Sequence, residues 1–191
     1  TKLTSEISRM MWNDCYKISS REKYPLPWDK RDIDTAMESW VTHEFDESWN
    51  QGDWQLTLSN AGHIPGAGML NVATESKNIL FTGDFDTRNS PLTSGAKPIK
   101  SEILFIEGTY GGRNHANQQE ELKRFIENIV RVTDKGGTVL IPAFANGRTQ
   151  DMLMRLHQNC PELDVHVDGM GKRISKLYLE NSQFIRDPKA L

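Results

Sequence analysis

Apolar positions first recur at helical spacing along residues 4–18 (TSEISRMMWNDCYKI), where Ile7, Met10, Met11 and Tyr16 follow a Thr4 or Ser5 cap. A proline-bearing loop, SSREKYPLPW, ends that period. DKRDIDTAMESWV then predicts a second helix, capped by Asp29 and ending near Val41. From Trp54 the period shortens to two. WQLTLSNA alternates as a strand, MLNVAT follows the loose turn Gly66-Ala67-Gly68, and KNILFTGD closes on Gly83-Asp84. SEILFIEGT is a fourth strand, its run Ile103–Ile106 typical of burial on both faces. Beyond it strand and helix alternate: a helix over about 117–134, the strand GGTVLIPAF, a helix over about 147–159, the strand DVHVDGM, and a helix from Lys172. Alternation with glycine-rich joints predicts an α/β fold with parallel strands in the second part, after a strand-rich layered first part.

Composition narrows the class without deciding the function. The chain has 191 residues, 37% hydrophobic and 26% charged, which is the balance of a globular protein with a core of its own. A net charge of −3 excludes a globally basic surface, so any nucleic-acid site must be local. Residues 29–54 are acidic, with eight Asp/Glu against two Lys/Arg, and read as a solvated face rather than an RNA surface. Cys15 and Cys160 stand in unrelated contexts and are expected to be reduced thiols. No apolar run spans a bilayer and TKLTSEISRMMW is no signal peptide, so a soluble, cytoplasmic protein without membrane contact is expected. The five Trp residues fall in the first third without basic neighbours between them and read as packing.

Candidate chemistry gathers at the strand ends. His63 follows one strand in NAGH, Asp84 closes another in TGD, and Glu107 follows a third in IEGTYGG. Each has a plain alternative: a hydrogen-bonded structural histidine, a loop-capping aspartate, a surface glutamate. Their common placement between glycines is where layered α/β enzymes present reactive groups. Imidazole and carboxylate are donors that zinc accepts. Spacing alone goes no further.

AGHIPGAGML, FTGDFDTRNSPLTSGAKPIKSEILFIEGTYGG and GGTVLIPAFANGRTQDML resemble successive signatures of the β-CASP branch of the metallo-β-lactamase family. The stretch from TGDF through GAKP to EGTYG is most similar to archaeal members, and the likeness covers nearly the whole chain. It implies part of a metallo-β-lactamase αββα sandwich over residues 1–111 and the start of an α/β β-CASP domain over 112–191. His63 then resembles a ligand of one zinc, and Asp84 the carboxylate bridging two. Glu107 resembles the acidic residue that orients a ligand or catalytic histidine. Gly147-Arg148 opens a helix after a strand, which makes Arg148 a candidate for RNA backbone contact. A buried ion pair locking that helix to the sheet is the competing reading. Lys172 and Arg173, with Lys176, Arg186 and Lys189, give the C-terminal region a positive tilt that suits RNA or a solvated face. His115 is expected on a surface loop.

The departures matter equally. Gly108 and Asp151 stand where the family usually has Ser and Glu, and none of His43, His63, His115, His157 and His166 forms an HxH pair. The resemblance places the HxHxDH cluster before Thr1 and two later histidine motifs after Leu191, so an internal fragment is expected. The implied parent is a two-zinc RNA hydrolase, endonuclease or 5′→3′ exonuclease, acting on single-stranded RNA in processing or decay. The fragment itself is expected to bind zinc weakly and to be inactive. DNA as a substrate, and a homodimer or processing complex as the assembly, stay open. The alternatives are a non-catalytic β-CASP paralogue acting as an RNA-processing scaffold and a small-molecule hydrolase of the same fold. EGTYG and PAFANGRTQ speak against the small-molecule hydrolase.

Overall fold

The computed structural model describes residues 1–191. Helix α1 spans Lys2–Glu22 and begins earlier than expected, because Thr1 Oγ1 accepts the Thr4 N–H and caps it. Helix α2, Lys30–Glu38, starts as expected. Asp29 accepts from the Arg31 and Asp32 amides while Asp32 accepts from the Asp29 amide, a reciprocal cap. It stops three residues before Val41, where the apolar spacing had carried it.

Five strands form one sheet in chain order: β1 Ser48–Gln51, β2 Trp54–Asn60, β3 Gly68–Ala73, β4 Asn78–Phe81 and β5 Ile103–Phe105. The first four pair antiparallel, and β5 joins β4 in parallel. Strand β1 lies inside the acidic stretch read as a solvated face. Its hairpin turn is Gly52-Asp53, with Gly52 at φ 60, a conformation only glycine adopts freely.

Helices α3 (Gln118–Thr133), α4 (Arg148–Asn159) and α5 (Met170–Glu180) follow, and the chain ends in short turns at Ser182–Phe184 and Pro188–Ala190. The mixed α/β class holds. The segments 136–144 and 164–170, expected as parallel strands, join no ladder. A strand exists only through hydrogen bonds to a neighbour, and none flanks them. Leu140 and Phe144 consequently stand 91% and 84% exposed. Strand β5 is likewise an open edge rather than a strand covered on both faces, with Ile103, Leu104, Phe105 and Ile106 all exposed. One sheet is present, not a pair.

The principal core joins the two ends of the chain. Leu3 and Ile7 of α1 pack with Leu92, Met154 of α4, Ile174 and Tyr178 of α5, and Ile185. A second cluster, Ala61, Met69, Leu80 and Ala96, lies under the sheet and holds the loops at its end. No helix is long and apolar enough to cross a membrane.

Candidate active site at the strand ends

Strands β2 and β4 both run antiparallel to β3, and β5 runs parallel to β4, so all three finish at the same end of the sheet. His63, Asp84 and Glu107 each lie two or three residues past one of those ends. The topology therefore brings the three sequence candidates to one edge.

Side chains bonded to the backbone fix the His63 loop. Asn60 Oδ1 accepts the Gly62 amide at 3.0 Å, Asn60 Nδ2 donates to the Ser94 carbonyl at 2.8 Å, and Thr93 Oγ1 donates to the Gly62 carbonyl at 2.8 Å. The Thr1 and Thr4 hydroxyls both donate to the Gly66 carbonyl, which pins the start of α1 to the same loop. Thr82, 3% exposed, ties the other two ends together. Its amide donates to the Phe105 carbonyl, and its hydroxyl accepts the Glu107 amide at 3.3 Å.

His63 Nε2 lies 4.0 Å from Asp84 Oδ2, with the side chains 46% and 72% exposed. That is too long for a hydrogen bond and close enough for both groups to face one cation. Zinc suits these donors in kind, but it takes about four. No group of three or more His, Cys, Asp or Glu side chains is placed to hold a metal, so these residues do not complete a site alone. Glu107 Oε2 accepts the Thr109 amide at 2.7 Å. That N–H and then the Thr109 hydroxyl hold the Glu107 carboxyl below its ordinary range, and the nearby His63 adds to the effect.

Sequence reasoning missed a second ion pair at this edge. Arg88 Nε and Nη2 bond the two Asp86 oxygens at 3.0 and 2.7 Å, and this guanidinium chiefly holds Asp86 below its ordinary range. The Asp-Thr-Arg spacing after TGDF was the available signal. His115 is exposed, its ring centroid 4.6 Å from that of Tyr110, as expected for a surface loop.

The cationic candidates lie on two helix starts. Gly147, at φ 84, caps α4 where a β-carbon would collide with the side chain of Ile64, the residue after His63. Arg148 begins α4 with a side chain 66% exposed and Nη1 4.0 Å from Asp151, so it is not the buried lock. The buried ion pair of this helix is instead Arg155–Asp151, 2.9 Å apart and each 11% exposed, and it lies within α4 itself rather than between helix and sheet. Gln150, fully buried, accepts the Gly147 amide and donates to the carbonyls of Ala145 and Gly171 and to Ser175 Oγ. It joins the start of α4 to the start of α5, where Lys172 and Arg173 are exposed.

The chain resembles known proteins along its whole length. The chain is 31% identical over 196 residues to the "Probable RNase MJ4" of Methanocaldococcus jannaschii, covering all of this chain and 46% of that protein. It is 30% identical over 197 residues to the "RNase aCSPSF2" of Saccharolobus solfataricus, covering all of this chain and 39% of that protein. The chain is a homologue of the β-CASP ribonucleases. A third relative of this homologue is cleavage and polyadenylation specificity factor subunit 3 of Dictyostelium discoideum, 33% identical over 161 residues, with 83% of the chain and 21% of that protein aligned. The chain thus spans less than half the length of these β-CASP relatives. No family model matches it.

Proposed function

We propose that this chain supplies part of the active centre of a metal-dependent RNA hydrolase. The observation that carries the reading is the His63–Asp84 pair at 4.0 Å, with Glu107 on the same sheet edge, in a homologue of named ribonucleases. His63 and Asp84 would hold zinc together with donors that this chain does not itself bring to the site. When bound, zinc acidifies water and offsets phosphate charge. Glu107, kept ionised by Thr109, positions an adjacent imidazole. Arg148, Lys172 and Arg173 are exposed cations for the phosphates of single-stranded RNA. In this reading residues 1–111 belong to a metallo-β-lactamase domain and 112–191 open a β-CASP domain.

The test measures zinc content and cleavage of a 5′-labelled single-stranded RNA. It uses the 191-residue chain and the native polypeptide that carries this sequence. The expected result is weak zinc retention and no cleavage by the chain alone. The native polypeptide should hold about two zinc ions and lose cleavage on Asp84→Ala. A native polypeptide without metal or cleavage would make the non-catalytic scaffold the better reading.

A further inference from the structure

A cleft of about 490 Å³ opens between the loop after Asp86, the start of α3, the second half of α4 and the segment at Arg186. Its volume is that of a small-ligand site, and its lining is polar. Arg155 and Arg186 are the cations, Asn89, Gln118, Gln119 and Gln158 supply four carboxamides, and Asp187 is the one carboxylate.

Neither guanidinium is fully used. Arg155, only 11% exposed, donates Nε to Asp151 and makes no other side-chain bond. Its two terminal amino groups, with four N–H donors, are left without protein acceptors. Those amino groups are not sealed from solvent, so they stand available to an anion that enters the cleft. Arg186 Nη1 donates to the Ser90 carbonyl at 2.9 Å, and its backbone amide donates to the Leu92 carbonyl at 3.0 Å. These bonds fix Arg186 across the cleft and leave its remaining donors free.

We propose that this cleft binds one nucleotide unit of single-stranded RNA, apart from the His63–Asp84 pair. The phosphodiester meets Arg155 and Arg186. The base edge meets the carboxamides of Gln118, Gln119 and Gln158, whose paired donor and acceptor match base hydrogen-bonding edges, while Asn89 Oδ1 already accepts the Gly95 amide at 2.9 Å. The inference rests on the RNA reading above and adds a second point of contact.

The test is fluorescence anisotropy of the 191-residue chain with a labelled single-stranded oligoribonucleotide across a salt series. Arg186→Ala and Gln158→Glu alter exposed cleft residues, and Arg155→Lys keeps the charge beside Asp151 while removing the idle amino groups. Arg21→Ala, on α1, removes an exposed cation elsewhere. Arg155→Lys and Arg186→Ala should each weaken binding about tenfold, as loss of a charge-assisted hydrogen bond implies, and Gln158→Glu should weaken it by setting a negative charge beside the phosphate. Arg186→Ala should also reduce the slope of log K against log salt by about 0.7. Arg21→Ala should change neither. Equal losses on a deoxy-oligonucleotide support the same phosphate and base contacts. Cleft variants that bind like the unaltered chain overturn the proposal, as does an equal loss in Arg21→Ala. The two readings fail separately. Cleavage by the native polypeptide that is abolished by Asp84→Ala, with binding indifferent to the cleft variants, removes only the cleft. Binding lost in the cleft variants, with no Asp84-dependent cleavage, removes only the hydrolase.

Discussion

Asp151 Oδ2 accepts the Nε–H of Arg155 at 2.9 Å, one helical turn along α4, with both side chains 11% exposed. Asp151 Oδ1 is buried without a partner, so the Arg155 bond is the carboxylate's one side-chain hydrogen bond, with the exposed Arg148 Nη1 adding charge at 4.0 Å. Removing one member of such a pair costs more than removing both. Arg155→Met should therefore destabilise the chain by about 3 kcal/mol. The double variant Asp151→Leu/Arg155→Met should recover most of that. Urea midpoints at constant slope measure it, and a double variant as unstable as the single one would show that packing, not charge, is responsible.

Tyr178 is fully buried and donates its hydroxyl to Asn146 Oδ1 at 2.6 Å. Burial pushes its phenol well above the ordinary tyrosine range, partly opposed by a hydrogen bond with the Gly147 backbone. The folded state thus keeps a proton that the unfolded chain releases near pH 10. The stabilisation is whole below that pH and is lost as pH rises towards the folded-state value. Tyr178→Phe should cost about 1–2 kcal/mol at neutral pH, because Asn146 loses its donor. It should also flatten the decline in stability above pH 10. Thermal melts between pH 8 and 11 would show an unchanged decline if other groups govern it.

Gly62 precedes His63 at φ 69, and a β-carbon there would collide with the Asp86 carbonyl and the Ala96 amide. Gly52 has a similar φ of 60 with open space around it. Gly52→Ala therefore reports backbone strain alone, about 1–2 kcal/mol. Gly62→Ala adds a clash with backbone that cannot move aside, and should cost more than about 3 kcal/mol. Denaturation midpoints of the two variants separate the terms. Equal losses would mean that the 86–96 loop yields.

The distribution of legible and illegible features follows from what each element needs. Asp29 and Asp32 cap α2 through neighbours in sequence, and Asn117 caps α3 by accepting from Gln119 and Glu120, so local pattern sufficed. His63, Asp84 and Glu107 were readable because each follows a strand whose period-two pattern is complete in itself. Strand β1 was not. Its residues, Ser48 to Gln51, carry little apolar pattern, although Gly52-Asp53 is a hairpin signal that could have found it. The opposite error arose at 136–144, where Val139, Leu140 and Ile141 have strand composition and no ladder to join. Arg155 was missed because its partner Asp151 and the cleft it lines depend on how α3, α4 and the Arg186 segment meet.

Those unladdered residues have a measurable consequence. Phe81 and Phe105 stack across β4 and β5 with centroids 4.6 Å apart, both exposed, and Leu104 and Ile106 continue the open apolar edge. Leu140 and Phe144 add a second exposed apolar segment. An unpaired parallel edge with apolar side chains is a template for another chain. The 191-residue chain should therefore self-associate as its concentration rises, in a manner strengthened by salt. Leu140→Lys and Phe144→Lys touch residues 91% and 84% exposed, so they should suppress association without lowering the melting temperature. Ile106→Lys should act in the same direction from the edge itself. Static light scattering over a dilution series decides the matter. A particle of one chain mass at every concentration would mean that this edge is protected by its own geometry.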